Sequence, residues 1–251
     1  METKKYRFGP AVFAYTTEIS MITDERYDSF RTDDNAAPDF TVEIVPLPED
    51  VPYGIQEAIQ TAVHGNRITA SMNRRVIPNL TVGRLMYLIG ASDLFLQKDA
   101  FVLHASYIVR EGKALLFSAP SGTGKSTQAD LWNQYRGCEI VNGDRVIISR
   151  ENGQFMAHGA YVAGSSGICR NVTAPLGNIV LLEQAPVCVK KTLTVSEMLK
   201  RLLCECSFDI HDLSQYAKML ELMSDLLGSI PVIAYRCTKG PEAVDILEKY
   251  L

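Results

Sequence analysis

The sequence predicts an α/β protein: a core with a mixed, partly antiparallel sheet, preceded by a smaller strand-containing module. Three observations carry this reading. Apolar, β-prone runs at 101–109, 114–117, 146–149 and 154–157 are short and joined by turn residues, so neighbouring strands pair antiparallel. Helical periodicity appears in separate stretches, at 82–89, 126–135, 198–203 and 213–227. Between them, residues 119–127 read APSGTGKST, a glycine-rich connector from an apolar strand into a helix.

Taken in order, 5–17 and 40–45 read as strands, with 31–39 as an exposed polar connection. Pro46, Pro48 and Pro52 are then expected to break regular structure. Val82, Leu85, Met86 and Ile89 share one helical face. The runs 101–109 and 114–117 form a hairpin about Arg110-Glu111-Gly112-Lys113, and the second runs into the glycine loop. After the helix at 126–135 come short strands at 139–141 and 146–149, the tight-turn pair Asn152-Gly153, and a strand at 154–157. A strand is expected at 178–182. Thr194 and Glu197 have capping-box spacing before a helix whose Met198, Leu199, Leu202 and Leu203 face one way. Gly228 and Pro231 are expected to end the helix at 213–227, with a strand at 232–237 and a proline-initiated helix at 241–251. The expected division is an N-terminal strand/helix module at 1–97, a candidate for acceptor binding, and a main domain at 98–251.

Composition narrows the classes. Apolar residues make up 47% and charged residues 22%, as in soluble globular chains. A net charge of −4 with no Lys/Arg block argues against nucleic acid and against an anionic membrane surface. No run reaches the roughly 18 apolar residues of a membrane span, and 1–13 lack a signal-peptide pattern, so a cytoplasmic location is expected. The six cysteines have no CxxC spacing and read as reduced, structural thiols; Cys204, Cys206 and His211 do not make a metal ligand set. Oligomeric state is open, and a homo-oligomer is compatible with everything above.

The loop carries the chemistry. Glycines let backbone N–H groups approach anionic oxygens closely, and the positive end of the following helix adds to the attraction. Ser121, Gly122, Thr123, Gly124, Lys125, Ser126 and Thr127 thus form a candidate phosphate site for a nucleoside triphosphate. Lys125 would reach the β- and γ-phosphates and the Ser126 hydroxyl would hold Mg²⁺. The strict pattern has glycine where this chain has Ala119. Asp144, expected at the end of a strand returning from the loop helix, is a candidate second Mg²⁺ ligand and a base for an acceptor hydroxyl; turn chemistry in Asn142-Gly143-Asp144 is the competing reading. Arg145 could neutralise a phosphate oxygen or lie exposed. His104 interrupts an apolar strand, and core and functional readings stand level. Small residues at 159–167 followed by Arg170 could cover an acceptor and bind phosphate or carboxylate, or form a plain surface loop.

His104, the APSGTGKST loop, Asn142-Gly143-Asp144, the glycine-rich stretch before Arg170 and Ala174-Pro175-Leu176 together resemble the HPr kinase and ATP-dependent phosphoenolpyruvate carboxykinase superfamily, in particular its short HPr-kinase-like members. The resemblance spans 101–183. It implies a P-loop core, ATP and Mg²⁺, and a place for His104 beside the catalytic acid and the phosphates. Where such proteins commonly carry two adjacent aspartates, this chain has Gly143-Asp144, so Asp144 would serve one role or both. The outer glycines, Gly159 and Gly164, are kept from the carboxykinase-like loop, but its central residues are not. The resemblance implies an ATP-dependent kinase that transfers the γ-phosphate to a hydroxyl of a peptide, a protein or a small molecule. The alternative is a non-catalytic nucleotide-binding module that recognises a peptide or protein partner.

Overall fold

In the computed structural model, which describes residues 2–33, 37–48 and 59–251, the chain divides into two compact units, 1–91 and 92–251. Among the described residues the first unit holds β1 (Glu2–Phe8), β2 (Ala11–Thr17), β3 (Phe40–Leu47), β4 (Ile59–His64), β5 (Arg67–Asn73) and α1 (Val82–Leu88). Its sheet runs β1-β2-β3-β5-β4, with the two central pairings parallel and the outer ones antiparallel. Phe8 packs on Phe30 at 4.9 Å between ring centroids, and Phe13 on Phe40 at 5.0 Å. Burying aromatic side chains of this size contributes roughly 1.5–3 kcal/mol each.

Several expectations for this region are corrected. The stretch 5–17 is a hairpin and not one strand: Gly9, at φ 54°, turns the chain between β1 and β2. Pro46 lies inside β3, because β2 stops pairing at Ile44 and Pro46 needs no N–H on that side. Pro52 and the centre of the 31–39 connection lie outside the described residues. The β4–β5 hairpin turns on Gly65-Asn66, a readable signal that the periodicity reading passed over. The helix over 82–89 is present, with Val82, Leu85 and Met86 buried.

α2 (Ala91–Phe95) spans the division. The second unit then follows as β6 (Ala100–Arg110), β7 (Lys113–Ser118), α3 (Lys125–Arg136), β8 (Glu139–Asn142), β9 (Arg145–Glu151), β10 (Gln154–Gly159), β11 (Thr173–Gln184), β12 (Val189–Lys191), α4 (Val195–Glu205), β13 (Cys206–Ser207), α5 (Leu213–Ser229), β14 (Val232–Cys237) and α6 (Glu242–Glu248). The path β10-β9-β6-β7-β11-β14-β12 is mixed: β7, β11 and β14 are parallel, the other pairs antiparallel, and β10 also pairs with β11. Side chains alternate across it. Leu116, Ile179 and Leu181 face α4 and α5, whereas Leu115, Phe117, Val180 and Ile233 face α3 and α6.

Local chemistry sets most boundaries here. Glu111-Gly112 and Asn152-Gly153 have positive φ at both positions, as two-residue hairpin turns require. Thr194 and Glu197 close a full capping box at the start of α4. Gly228, expected to end α5, lies within it, and the helix stops at Ser229 ahead of Pro231. Pro241 caps α6 and does not start it. Among the described residues no helix is long and apolar enough to cross a membrane.

His158 on β10 is buried, with Nε2 2.7 Å from Ser149 Oγ and Nδ1 2.9 Å from Thr173 Oγ1. Burial holds its pKa below the ordinary histidine value, against the pull of Glu151 at 3.3 Å. A neutral imidazole in the fold means that its stabilising contribution is present above about pH 6.5 and is lost as pH falls through the lowered folded value. His158→Gln should therefore flatten the dependence of stability on pH in the acid range. Urea midpoints for both proteins at pH 7.5 and 5.5 check this, and equal slopes would reject it.

Candidate functional site

β6 exchanges both of its neighbours at residue 104. On one side β7 ends with Ser118 opposite Ala105, and β13 begins with Cys206 opposite Leu103, which sets Glu205 beside His104. On the other, β8 ends with Asn142 opposite Tyr107 and β9 begins with Arg145 opposite His104, which leaves Gly143 and Asp144 to bridge the gap. Such changes of strand partner open crevices at strand ends. The glycine loop leaves β7 from the same place.

The loop is shaped by Gly122 (φ 79°) and Gly124 (φ 109°); the space beside both is open, so backbone conformation and not crowding demands glycine. Gly124 caps α3 without a side-chain bond, so no capping side chain takes up the first N–H groups of the helix. Ser121 and Gly122 are exposed, while Thr123, Ser126 and Thr127 are half-buried. Lys125 is buried and its Nζ donates to Ala119 O at 2.7 Å and Pro120 O at 3.3 Å. Burial pushes its pKa below the usual lysine value, although Glu205 and Asp144 pull the other way.

Asn142 builds the turn that presents Asp144. Its Oδ1 accepts from the backbone N–H groups of Asp144 (2.8 Å) and Arg145 (3.0 Å), and its Nδ2 donates to the carbonyls of Ala160 and Val162. Gly143 O accepts from Ser106 Oγ at 2.9 Å and from Ser126 Oγ at 3.3 Å, joining the turn to the loop helix. The stretch 164–166 packs onto this turn: a Cβ on Gly143 would strike Ser166, and one on Gly164 would meet Asp144 Cβ at 2.5 Å. The small residues of that loop therefore serve close approach to Asp144.

His104 stands between two carboxylates, with Nδ1 2.8 Å from Glu205 Oε2 and Nε2 3.4 Å from Asp144 Oδ1. Asp144 also faces Arg145 Nε at 3.6 Å. The His104 contact chiefly, then the charges of Arg145 and Lys125, hold the Asp144 carboxyl below its usual pKa against the opposing effect of burial. A cavity of about 780 Å³ opens alongside, walled by the glycine loop, the C-terminal end of β11 and one face of α4, with Ser118, Gly122, Gln184, Arg201 and Glu205 on its surface.

Of the residues singled out from sequence, His104, Lys125, Ser126, Asp144 and Arg145 come together. Arg170 does not join them: its exposed guanidinium lies 2.8 Å from Glu139 Oε1, at the start of β8 and away from the Asp144 end. Glu205 was missed. No local pattern marks it, since a two-residue strand pairing brings it to His104 from 101 residues away.

No family model matches the chain, and no curated protein matches it. Among solved structures, the HPr(Ser) kinase/phosphatase from Coxiella burnetii is similar over 59% of this chain and 94% of that one, with 14% identity and a TM-score of 0.35. A likeness at that level assigns neither family nor activity.

Proposed function

We propose that the second unit is an ATP-dependent phosphotransferase that moves the γ-phosphate to a hydroxyl, the acceptor being a serine of a peptide or protein, or a small molecule. The observation that carries this reading is the meeting of the Lys125 loop, Asp144 and His104 at one crevice. Residues 121–127 form a phosphate loop at the N-terminus of α3, where backbone donors and the helix dipole favour anionic oxygens. Lys125 exchanges two neutral carbonyl partners for the β- and γ-phosphates. Arg145, whose Nε lies 3.6 Å from Asp144 Oδ2, adds charge beside the phosphates.

The acceptor oxygen attacks the γ-phosphorus as the bond to the β-phosphate oxygen breaks. Its proton passes to Asp144, whose ionised state at neutral pH is favoured by its neighbours. The products are ADP and a phosphate monoester. Ser126 and Asp144 supply hard oxygen donors of the kind Mg²⁺ takes, and the Ser126 hydroxyl, held only by a 3.3 Å bond to Gly143 O, is free to turn toward it. When bound, Mg²⁺ offsets the charge of the phosphate oxygens.

Incubation with γ-labelled ATP and Mg²⁺ against a panel of serine peptides and small hydroxyl compounds tests the proposal. Label is expected on an acceptor hydroxyl. Tight ATP binding in calorimetry with no transfer to any acceptor would support the binding-module alternative instead.

A further inference from the structure

Resting on the phosphotransferase reading, we propose that Glu205 is a positioning residue: it anchors the His104 ring through Nδ1 so that the opposite edge, Nε2, is presented to Asp144. The two contacts use the two ring nitrogens, at 2.8 Å to Glu205 Oε2 and 3.4 Å to Asp144 Oδ1, so fixing one edge fixes where the other points.

The backbone holds every member of this chain. Glu205 is the last residue of α4 and the next two residues pair with β6, so helix and strand both restrain it. His104 is tied through its own carbonyl to Ser118 Oγ at 3.0 Å, and Asp144 O accepts from Ala105 N–H at 3.1 Å. The arrangement is also shielded. His104 is 15% exposed and Glu205 11%, against 28% for Asp144, so all three are largely covered, and Glu205 is the least exposed although it borders the cavity. Covering a carboxylate is costly unless its lone pairs are used, and the hydrogen bond that uses them here goes to the one histidine that faces the candidate base. A carboxylate or other acceptor behind a functional histidine commonly sets ring orientation.

The role is geometric, which separates glutamine from alanine. Glutamine retains an oxygen that can accept from Nδ1–H; alanine does not. Glu205→Ala is expected to lower the rate of phosphoryl transfer by roughly 10–100-fold, the range typical for partners that orient a functional histidine, with KM for ATP within about threefold of wild type. Glu205→Gln should retain most of the rate. Histidine labelled with ¹⁵N gives a readout independent of turnover. The His104 Nδ1–H resonance, identified by its absence from His104→Gln, should disappear or broaden in Glu205→Ala and persist in Glu205→Gln. If Glu205→Ala does not fold, Glu205→Leu fills the same space without an acceptor and carries the same expectations.

A persisting resonance in the alanine or leucine protein overturns the proposal. So does an unchanged rate, or a rise in KM that matches the fall in rate, since the latter would make Glu205 a nucleotide or metal ligand. If wild-type protein transfers no phosphate at all, the phosphotransferase reading fails, and the ring resonance alone still decides whether Glu205 positions His104.

Discussion

Lys125→Met is expected to reduce phosphoryl transfer by roughly 10³-fold, the scale of losing a preorganised donor to transition-state charge, with little change in stability. The separation follows from where the ammonium sits. Lys125 is buried, its hydrogen bonds go to neutral carbonyls, and burial pulls its pKa below the lysine norm. For a group with a depressed folded pKa, stability is highest above the unfolded value and is lost as pH falls through the folded one. At neutral pH the protonated side chain is therefore a burden on the fold. Methionine removes that burden, fills much the same volume, and leaves Ala119 O without a donor, a loss of about 1–3 kcal/mol at most if the carbonyl stays dry. These effects oppose each other. The unfolding midpoint at pH 7 should stay close to wild type while transfer collapses. Retention of a tenth or more of the activity would remove Lys125 from the site, and a collapse in stability would make it a fold residue.

What the sequence made legible was local. Glu111-Gly112 and Asn152-Gly153 needed positive φ, Thr194 and Glu197 had capping-box spacing, and each structure formed where the residues demanded it. Lys125 and Ser126 were legible as candidates because the phosphate-loop pattern is made of consecutive residues. Asp144 was a weaker inference, since an aspartate after Asn-Gly suits an ordinary turn; the turn exists, with Asn142 Oδ1 as its acceptor, and it also presents the carboxylate. From its own strand His104 could not be resolved, because one histidine in an apolar strand looks alike in a core and in a site; only the family resemblance favoured a functional place. The exchange of neighbours at β6 sets it between Glu205 and Asp144, and that placement depends on pairings between segments far apart in sequence. Glu205 lay beyond reach for the same reason.

Asp144→Asn is expected to lower transfer by about 10²–10⁴-fold, the range for loss of a positioned general base. The substitution keeps shape and removes proton affinity. Asparagine fits where Gly164 allows close packing, and its Oδ1 can still accept from His104 Nε2–H across the contact that now measures 3.4 Å. Its effect on stability has a definite sign. The folded pKa of Asp144 is held below its ordinary value, so the ionised carboxylate stabilises the native state above the unfolded pKa near 4, and this is lost as pH falls through the lower folded value. Asp144→Asn should thus be slightly less stable than wild type at pH 7, with the difference narrowing toward pH 3. Catalysis and metal binding then separate by titration. A base acts on the acceptor proton, so transfer should fall much further than affinity for Mg²⁺·ATP. If instead affinity falls in proportion to transfer, and saturating Mg²⁺ restores the rate, Asp144 holds the metal and another group takes the proton. His104 would then be the group to test, since its Nε2 lies 3.4 Å from Asp144 Oδ1.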